Sequence, residues 1–382
     1  MRIVVVGAGI IGSAIAYHLA RAGAQVQIIE ARRPGIGTSS ATFAYLNVLR
    51  HSDDEHGAFR LRALRYWDEL AATIDGTRFL TRGGSLFFGD TPTDAARLDK
   101  LETEATGVGL VCERWPARRV VAELEPDLVL PESDAPALRM PQEGRLEPVP
   151  MIGRLIAAAR ACGAALAPDE TVDAIEEGDG GVRVTTTHRV VAADHAVLAA
   201  GPATGPLLER IGVDLPIRTQ PGVIAVTRPL PIQLRHVVYA GKVHFAPEGA
   251  GRIIVGRTDY RTTMPSAEDI AAYRSETAAL LRPWLRGLDA DEFECTRVGV
   301  RPIPADGQPM IGPVPGWSRL SIAVMHSGIS LAALAGQLLA EELVRGRMVD
   351  ALAPYRPARF LAGAKLRDSF APWAPGDAIA AT

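Results

Sequence analysis

The chain is poor in cysteine. Only three cysteines occur in 382 residues, Cys112, Cys162 and Cys295, and none belongs to a CxxC pair. This spacing argues against a disulfide framework and against a cysteine-based zinc site. We therefore predict that the protein has no metal site and works in a reducing compartment.

The sequence also lacks an excess of one charge and a long apolar run. Its 41 basic and 44 acidic residues leave a net charge of -3, too weak a field to collect nucleic acid. No window reaches about 18 uninterrupted apolar residues, and the apolar run after Arg2 is too short for a signal segment. We expect no transmembrane segment, a cytoplasmic location, and a small molecule as partner.

The first thirty residues have the pattern of a strand, a helix and a second strand. The run "RIVVV" (2–6) is typical of a parallel strand buried on both faces. From Ile10 to Ala22, Ile11, Ile15 and Leu19 recur every four residues on one helix face, and Gly23 ends the helix before "AQVQIIE". This pattern predicts a βαβ unit.

A glycine motif lies between the first strand and the helix. Gly7, Gly9 and Gly12 form GxGxxG, and the acidic Glu30 ends the next strand. In this context the glycines permit a tight turn, close approach of a pyrophosphate to the helix N-terminus, and close helix packing, while the acid accepts ribose hydroxyls. The motif predicts a dinucleotide site but does not separate NAD from FAD.

The rest of the chain alternates between continuations of this domain and two insertions. The hydrophobic share of 47% is ample for a large core, and the length allows two or three domains. Strand patterns such as "GGSLFFG", "VIAVTR" and "KVHFAP" lie in the insertions. We predict a nucleotide-binding domain over 1–79, 146–215 and 296–366, a substrate-binding domain with its own sheet over 80–145 and 216–295, and a loose tail over 367–382.

Three further segments carry a family resemblance. These are "GIGTSSATFAYLN" (35–47), "ETVDAI" (170–175) and "AVLAAGPAT" (196–204). Together with the glycine motif, they resemble the D-amino-acid oxidase and glycine oxidase family of FAD-dependent amine oxidoreductases. The resemblance implies an α/β fold: a Rossmann-like FAD-binding domain of the glutathione-reductase type with an inserted antiparallel-sheet substrate domain of α+β character.

The resemblance also implies a set of cofactor-binding residues. The helix that begins near residue 329 would direct its N-terminus at the flavin pyrimidine, where backbone N–H groups stabilise negative charge. The predicted FAD-binding residues are Gly7, Ala8, Gly9, Ile10, Ile11, Gly12, Glu30, Ala31, Arg32, Gly37, Thr38, Ser39, Ser40, Ala41, Val172, Ala200, Gly201, Arg301, Ser327, Gly328, Ile329 and Ser330.

Arg301 stands in "VGVRPIPADGQPMIG" (298–312), where the prolines and glycines argue against a helix or a central strand. In the family, the arginine of this Gly-X-Arg-Pro segment often binds the substrate carboxylate. A guanidinium offers two coplanar donors to a carboxylate and thereby aligns the α-carbon with flavin N5. The alternative is a structural salt bridge.

Several other side chains are candidates for the substrate site. His244, in "YAGKVHFAPEG", stands where the family usually has an active-site tyrosine, and a register shifted by one residue would turn Phe245 inward instead. Tyr45, Asn47 and Tyr239 are candidate wall residues, with packing as the alternative. His326 is a candidate for either packing beside the flavin or acid–base chemistry, since histidine is the side chain that most readily changes its charge near neutral pH.

The sequence predicts noncovalent FAD. Covalent members of the family use a cysteine near the arginine segment or a histidine in the 40s stretch, whereas this chain has "TRVGVRP" and "SSATFAYLN" there. Cys295 lies too far upstream.

The resemblance implies a reaction class. Hydride transfer from a D-amino acid, a glycine-like amino acid or an N-substituted one to flavin N5 would give an imine that water hydrolyses to a 2-oxo acid. An FAD monooxygenase, a nicotinamide-dependent dehydrogenase and a non-catalytic subunit of an amine dehydrogenase complex are the alternatives. The sequence does not separate oxygen from a quinone or electron carrier as acceptor, and it is compatible with a homo-oligomer.

Overall fold

The part of the chain that the structure describes forms four sheets and the helices that cover them. A computed structural model describes residues 1–48, 54–89, 92–130, 136–258 and 263–363, so the predicted tail, 367–382, lies outside the described residues. Within these ranges the strands in chain order are β1 (Arg2–Val6), β2 (Gln25–Ile29), β3 (Tyr45–Leu46), β4 (Leu80–Thr81), β5 (Ser85–Phe88), β6 (Glu113–Pro116), β7 (Pro136–Met140), β8 (Gly144–Leu146), β9 (Ala165–Ala167), β10 (Val172–Gly178), β11 (Gly181–Thr186), β12 (Val190–Ala193), β13 (His195–Leu198), β14 (Ile217–Thr227), β15 (Val237–Ala240), β16 (Val243–Glu248), β17 (Arg252–Arg257), β18 (Phe293–Pro304), β19 (Met310–Pro313) and β20 (Leu320–Val324). The α-helices are α1 (Ile10–Arg21), α2 (Asp54–Thr73), α3 (Pro92–Gly107), α4 (Ala117–Glu123), α5 (Pro148–Ala161), α6 (Thr204–Arg210), α7 (Ala267–Leu281) and α8 (Gly328–Arg345).

A six-stranded sheet forms the Rossmann-like part, with strand order β19-β20-β13-β1-β2-β9. All pairs are parallel except β19 with β20. Strand β1 is buried on both faces: Ile3 and Val5 belong to the core with α1 and α8, whereas Val4 and Val6 belong to the core with the β10–β12 meander. This burial explains the continuous apolar run and confirms the predicted βαβ unit.

Helix α1 ends close to where its sequence predicts: Arg21 is its last residue, Ala22 is its C-cap, and Gly23 lies in the left-handed region at φ +89°. Helix α8 packs directly against α1. A methyl group on Gly336 would lie 2.9 Å from the carbonyl carbon of Ala14, so the small residue allows the two backbones to approach closely. The C-terminal helix therefore lies against the first domain, as predicted.

The two predicted insertions contribute strands to one eight-stranded sheet, with order β18-β14-β17-β16-β15-β5-β7-β6. The sheet was expected to be antiparallel, and every pair is antiparallel except β15 with β5, which is parallel. These two strands come from different insertions, so no tight hairpin joins them and dictates their direction.

The two faces of this sheet have different coverings. On one face, Phe88, Phe245 and Trp284 belong to a core covered by α7, a helix that begins with a capping box between Ser266 and Asp269. The other face contacts the loop that leads into β3. Phe43, for example, meets the ring of His244 at 4.5 Å.

Strand β18 is an edge strand that pairs with β14 over its whole length. Arg301 lies in it, which agrees with the prediction that this proline-rich segment is not a central strand. Since β18 runs from Phe293 to Pro304, the proposed domain boundary at 296 falls within a continuous strand. Among the described residues, no helix combines the length and apolar character needed to cross a membrane.

Candidate active site

The glycine motif forms a tight turn at the start of α1. Gly7 has φ +105°, and a methyl group there would lie 2.5 Å from the carbonyl oxygen of Ala199. A methyl group on Gly12 would lie 3.0 Å from the carbonyl carbon of Gly7. The Ser39 hydroxyl accepts a hydrogen bond from Ile10 N–H at 3.2 Å. A helix N-terminus with glycine backbone and a hydroxyl beside it suits a pyrophosphate.

Glu30 is fixed beside this turn. Its carboxylate accepts hydrogen bonds from Ala8 N–H at 2.7 Å and from Arg32 N–H at 3.0 Å. The acid therefore lies at the end of β2 next to the glycine turn, in the position that the motif predicts for a ribose contact.

A cleft of about 180 Å³ opens at the carboxyl ends of β1 and β2. Five predicted cofactor residues line it: Gly7, Glu30, Ala31, Val172 and Ala200. Sequence reasoning missed its other lining residues, which are Val6, Ile29, Glu170, Thr171, Ala203, Pro206, Leu207 and Arg210. A largely apolar cleft with one carboxylate beside the glycine turn fits an adenosine moiety.

Glu170 is one of the polar residues at this cleft that sequence reasoning did not identify. The Arg189 guanidinium bonds to it at 3.0 Å and holds the pKa of its carboxyl below the usual value, and Thr186 donates a second bond at 2.7 Å. Glu170 is the first residue of the segment "ETVDAI", whose place beside the cofactor the sequence predicted. Its ion pair could not be predicted, because its partner Arg189 lies in the turn before β12.

Residues 37–41 connect the glycine turn to β18. Thr38 donates to the carbonyl oxygen of Val300 at 2.5 Å, and Ser40 donates to that of Gly37 at 2.9 Å. A methyl group on Gly299 would lie 2.5 Å from the carbonyl oxygen of Ala41, so these backbones touch. The predicted cofactor loop thus lies directly against the strand that carries Arg301.

The start of α8 lies beside the start of α1. A methyl group on Gly328 would lie 3.0 Å from Cδ1 of Ile11. The carbonyl oxygen of Ile329 accepts from the Trp67 indole at 2.9 Å, and the Ser330 hydroxyl donates to the carbonyl oxygen of Tyr45 at 3.0 Å. The two residues just before the helix, His326 and Ser327, are half-buried. Gly201, the last predicted cofactor residue, begins a short 3₁₀ turn with φ +58° after β13.

Arg301 lies on the face of the eight-stranded sheet that turns away from α7. It stands opposite Gln220 in the β14 ladder, with 3.5 Å between Nη1 and the Gln220 amide oxygen. Its guanidinium lies over Gly222, where a methyl group would be 2.7 Å from Cζ.

His244 belongs to a stack of rings on the same face. Its imidazole stacks on Tyr239 at 5.0 Å, and Tyr239 stacks on Phe87 at 4.9 Å. Phe245 belongs to the opposite core, beneath α7. The register is therefore the one that turns His244, and not Phe245, toward the candidate site.

Tyr45 and Asn47 are held by buried charged residues that sequence reasoning missed. The Tyr45 hydroxyl donates to the carboxylate of Glu143, and burial, followed by the charge of Glu143, raises the pKa of Tyr45 well above its usual value. Arg60 donates to the Asn47 amide oxygen at 2.7 Å. Glu143 and Arg60 are each 1% exposed. No periodic pattern marks either residue, because their partners are distant in sequence.

Arg145 joins the β3 loop to the eight-stranded sheet. This arginine is 2% exposed. It donates to the carbonyl oxygens of Phe43 at 3.0 Å and Pro247 at 3.1 Å and pairs with Glu248. Burial lowers its pKa from the usual value. This network fixes the loop that leads into β3 relative to strand β16.

Comparisons with known proteins agree with this geometry. A family model described as FAD dependent oxidoreductase matches residues 2–342. A glycine oxidase from Bacillus licheniformis is 27% identical over 349 residues, which is 89% of this chain and 92% of the relative. The solved structure of glycine oxidase from Geobacillus kaustophilus has a TM-score of 0.83 at 26% identity, covering 94% of this chain and 99% of that one. The structure of iminodiacetate oxidase from Chelativorans sp. BNC1 has a TM-score of 0.76 at 26% identity, covering 93% and 99%.

Proposed function

Since the chain belongs to the family of FAD-dependent oxidoreductases, we propose that it oxidises the C–N bond of a small amino acid, whether a D-amino acid, a glycine-like one or an N-substituted one. Oxidation of amines or amino acids with FAD is the activity class that its relatives support. The names of the relatives, glycine oxidase and iminodiacetate oxidase, favour substrates with a small or N-substituted backbone.

The residues around the glycine turn fit the cofactor. The α1 N-terminus and Ser39 would hold the pyrophosphate, Glu30 the ribose, and the apolar cleft beside Val172 the adenine. Bound FAD supplies the hydride acceptor, flavin N5. The backbone at the start of α8 would stabilise negative charge beside it.

The observation that carries the proposal is the position of Arg301. Its guanidinium lies over Gly222 of β14, on the strand whose residues Gly299 and Val300 touch the predicted cofactor loop. A planar pair of donors in that place would bind the substrate carboxylate and hold the α-carbon toward the cofactor. In the proposed reaction the α-carbon loses a hydride and the amine nitrogen a proton. Water then hydrolyses the resulting imine to a 2-oxo acid and releases the nitrogen as ammonia or, from an N-substituted substrate, as an amine.

Anaerobic mixing tests this proposal. Glycine, D- and L-amino acids and N-methyl amino acids are added to the FAD-loaded protein, and bleaching of the flavin absorbance is followed. We expect Arg301→Ala to lower the second-order rate of bleaching at least about 100-fold, since two charge-assisted hydrogen bonds are lost. Arg183→Ala, which removes an arginine from an exposed ion pair with Glu176, should have no effect. Persistent yellow colour across the panel would instead favour a non-catalytic subunit.

Admission of air after bleaching identifies the acceptor. Rapid return of the yellow colour with formation of peroxide would indicate oxygen, and slow return that a soluble quinone accelerates would indicate an electron carrier.

A further inference from the structure

Gly222 and Gly256 lie on the sheet face that carries Arg301 and His244. Directly opposed residues in a ladder share a face, and so do residues two apart on one strand. Gln220 opposes Arg301, so Gly222 shares the face of Arg301. Gly256 opposes His244 and shares its face.

Backbone conformation does not explain the glycine at position 222. Its φ lies outside the left-handed region that favours glycine. Glycine inside a strand weakens the strand, and often marks a place where another group approaches closely. The explanation for Gly222 must therefore be the space above it.

The guanidinium of Arg301 fills that space. A methyl group on Gly222 would lie 2.7 Å from Cζ and 3.1 Å from Nε of Arg301, with Nη2 closer still, and these are its three nearest heavy atoms. Favourable contacts between carbon atoms need about 3.5 to 4.0 Å. Any side chain at position 222 would push the guanidinium off the sheet while meeting no other group first.

We infer that Gly222 is a positioning residue for Arg301 and thereby decides where a substrate carboxylate binds. The inference rests on the proposed function, in which Arg301 anchors that carboxylate. Because no side chain stands at position 222, the guanidinium can lie close to β14. Bidentate pairing with a carboxylate depends on where its coplanar donors stand.

Binding of a carboxylate that cannot be oxidised tests the inference. Acetate and its uncharged analogue acetamide are titrated into FAD-loaded protein by calorimetry, with the flavin spectrum as a second signal. In Gly222→Ala we expect the dissociation constant of acetate to rise about 10- to 100-fold, the range for loss of a hydrogen bond to a charged group. Acetamide should bind equally to both proteins.

The matched control is Gly153→Ala, because an added methyl on this α5 residue meets no atom within 4 Å. It should bind acetate like the unmodified protein. A double-mutant cycle separates a positional effect from a general one. If Gly222 acts through Arg301, Gly222→Ala should cause no further loss of acetate affinity when Arg301→Ala is already present.

Unchanged acetate affinity in Gly222→Ala, or an additional loss on top of Arg301→Ala, would overturn the inference. Should Gly222→Ala fail to fold, recovery of folding in the double variant would support the inference, and failure of the double variant would overturn it. If acetate binding depends on Gly222 but no amino acid bleaches the flavin, only the proposed function fails. If amino acids bleach the flavin but the Gly222 substitution leaves the affinity for acetate unchanged, only the inference fails.

Discussion

The hydroxyl of Tyr45 donates a hydrogen bond to the buried carboxylate of Glu143. The same carboxylate accepts from the Ser85 hydroxyl at 2.6 Å and from Val48 N–H at 2.9 Å. One acid therefore ties the β3 segment to β5 of the eight-stranded sheet, and the position of the Tyr45 ring beside Tyr239 depends on it.

Replacing Glu143 should change how stability depends on pH. Burial raises the pKa of Glu143 above 4.5, so the folded state holds this proton more tightly than the unfolded chain. The stabilising contribution of Glu143 is then complete below pH 4.5 and is lost as the pH rises through the raised pKa. Glu143→Gln does not ionise, so its melting temperature relative to the unmodified protein should rise between pH 4.5 and pH 8.

The control for this measurement is Glu176→Gln, at an exposed residue paired with Arg183. Its melting-temperature difference should stay nearly constant over the same pH range, because exposed pairs contribute little. A constant difference for Glu143→Gln as well would show that the carboxyl does not titrate with a raised pKa.

Gly256→Ala should displace His244. A methyl group there would lie 2.7 Å from Cε1 and 3.0 Å from Cδ2 of the imidazole, which is held between Phe43 and Tyr239. Overpacking of this kind costs about 1 to 3 kcal/mol. Urea denaturation of the FAD-loaded protein measures the loss.

Combination with His244→Ala provides the check. In that background the added methyl should cost far less, because the atoms it would strike are gone. If Gly256→Ala lowered the free energy of unfolding equally with and without the His244 imidazole, the added methyl group would clash with some other group.

Glu30→Gln should weaken FAD binding. The amide has one acceptor oxygen where the carboxylate has two. Both carboxylate oxygens already accept backbone N–H bonds, one from Ala8 in the glycine turn and one from Arg32. We expect the dissociation constant of FAD to rise about 10- to 100-fold, measured by quenching of FAD fluorescence on titration with apoprotein. Glu176→Gln again serves as the control, and equal affinities for the two variants would contradict the assignment of Glu30.

Acid precipitation should release FAD into the supernatant. The prediction follows from the lack of a cysteine beside Arg301 and of a histidine in the 40s stretch. A yellow pellet after washing would show a covalent link instead.

The parts of the fold that the sequence predicted are those whose causes are local. The run at Val4 and Val6 is apolar because β1 is buried on both faces, and the glycine motif directly precedes the helix that it starts. Glu30 ends the very next strand. Each of these features can be recognised within about thirty residues, so the βαβ unit and the part of the cleft formed by Gly7 and Glu30 were found.

The features that the sequence did not reveal depend on residues far apart in the chain. Glu143 and Tyr45 are separated by 98 positions, and the parallel pairing of β5 with β15 joins two different insertions. The hydrophobic periodicity of a segment does not indicate which distant segment it contacts. The register of His244 was equally open, because a shift of one residue exchanges the two faces of a strand without altering its pattern.

The prolines of the arginine segment affect more than the site. Because the Val300 carbonyl points away from β14 toward Thr38, residues 302 and 304 share that outward side of the edge strand. Both are prolines and have no N–H to offer there. An unprotected edge of a large sheet invites strands from other molecules and hence aggregation. The segment that carries the guanidinium thus also helps to keep neighbouring copies of the enzyme from joining their sheets in a crowded solution.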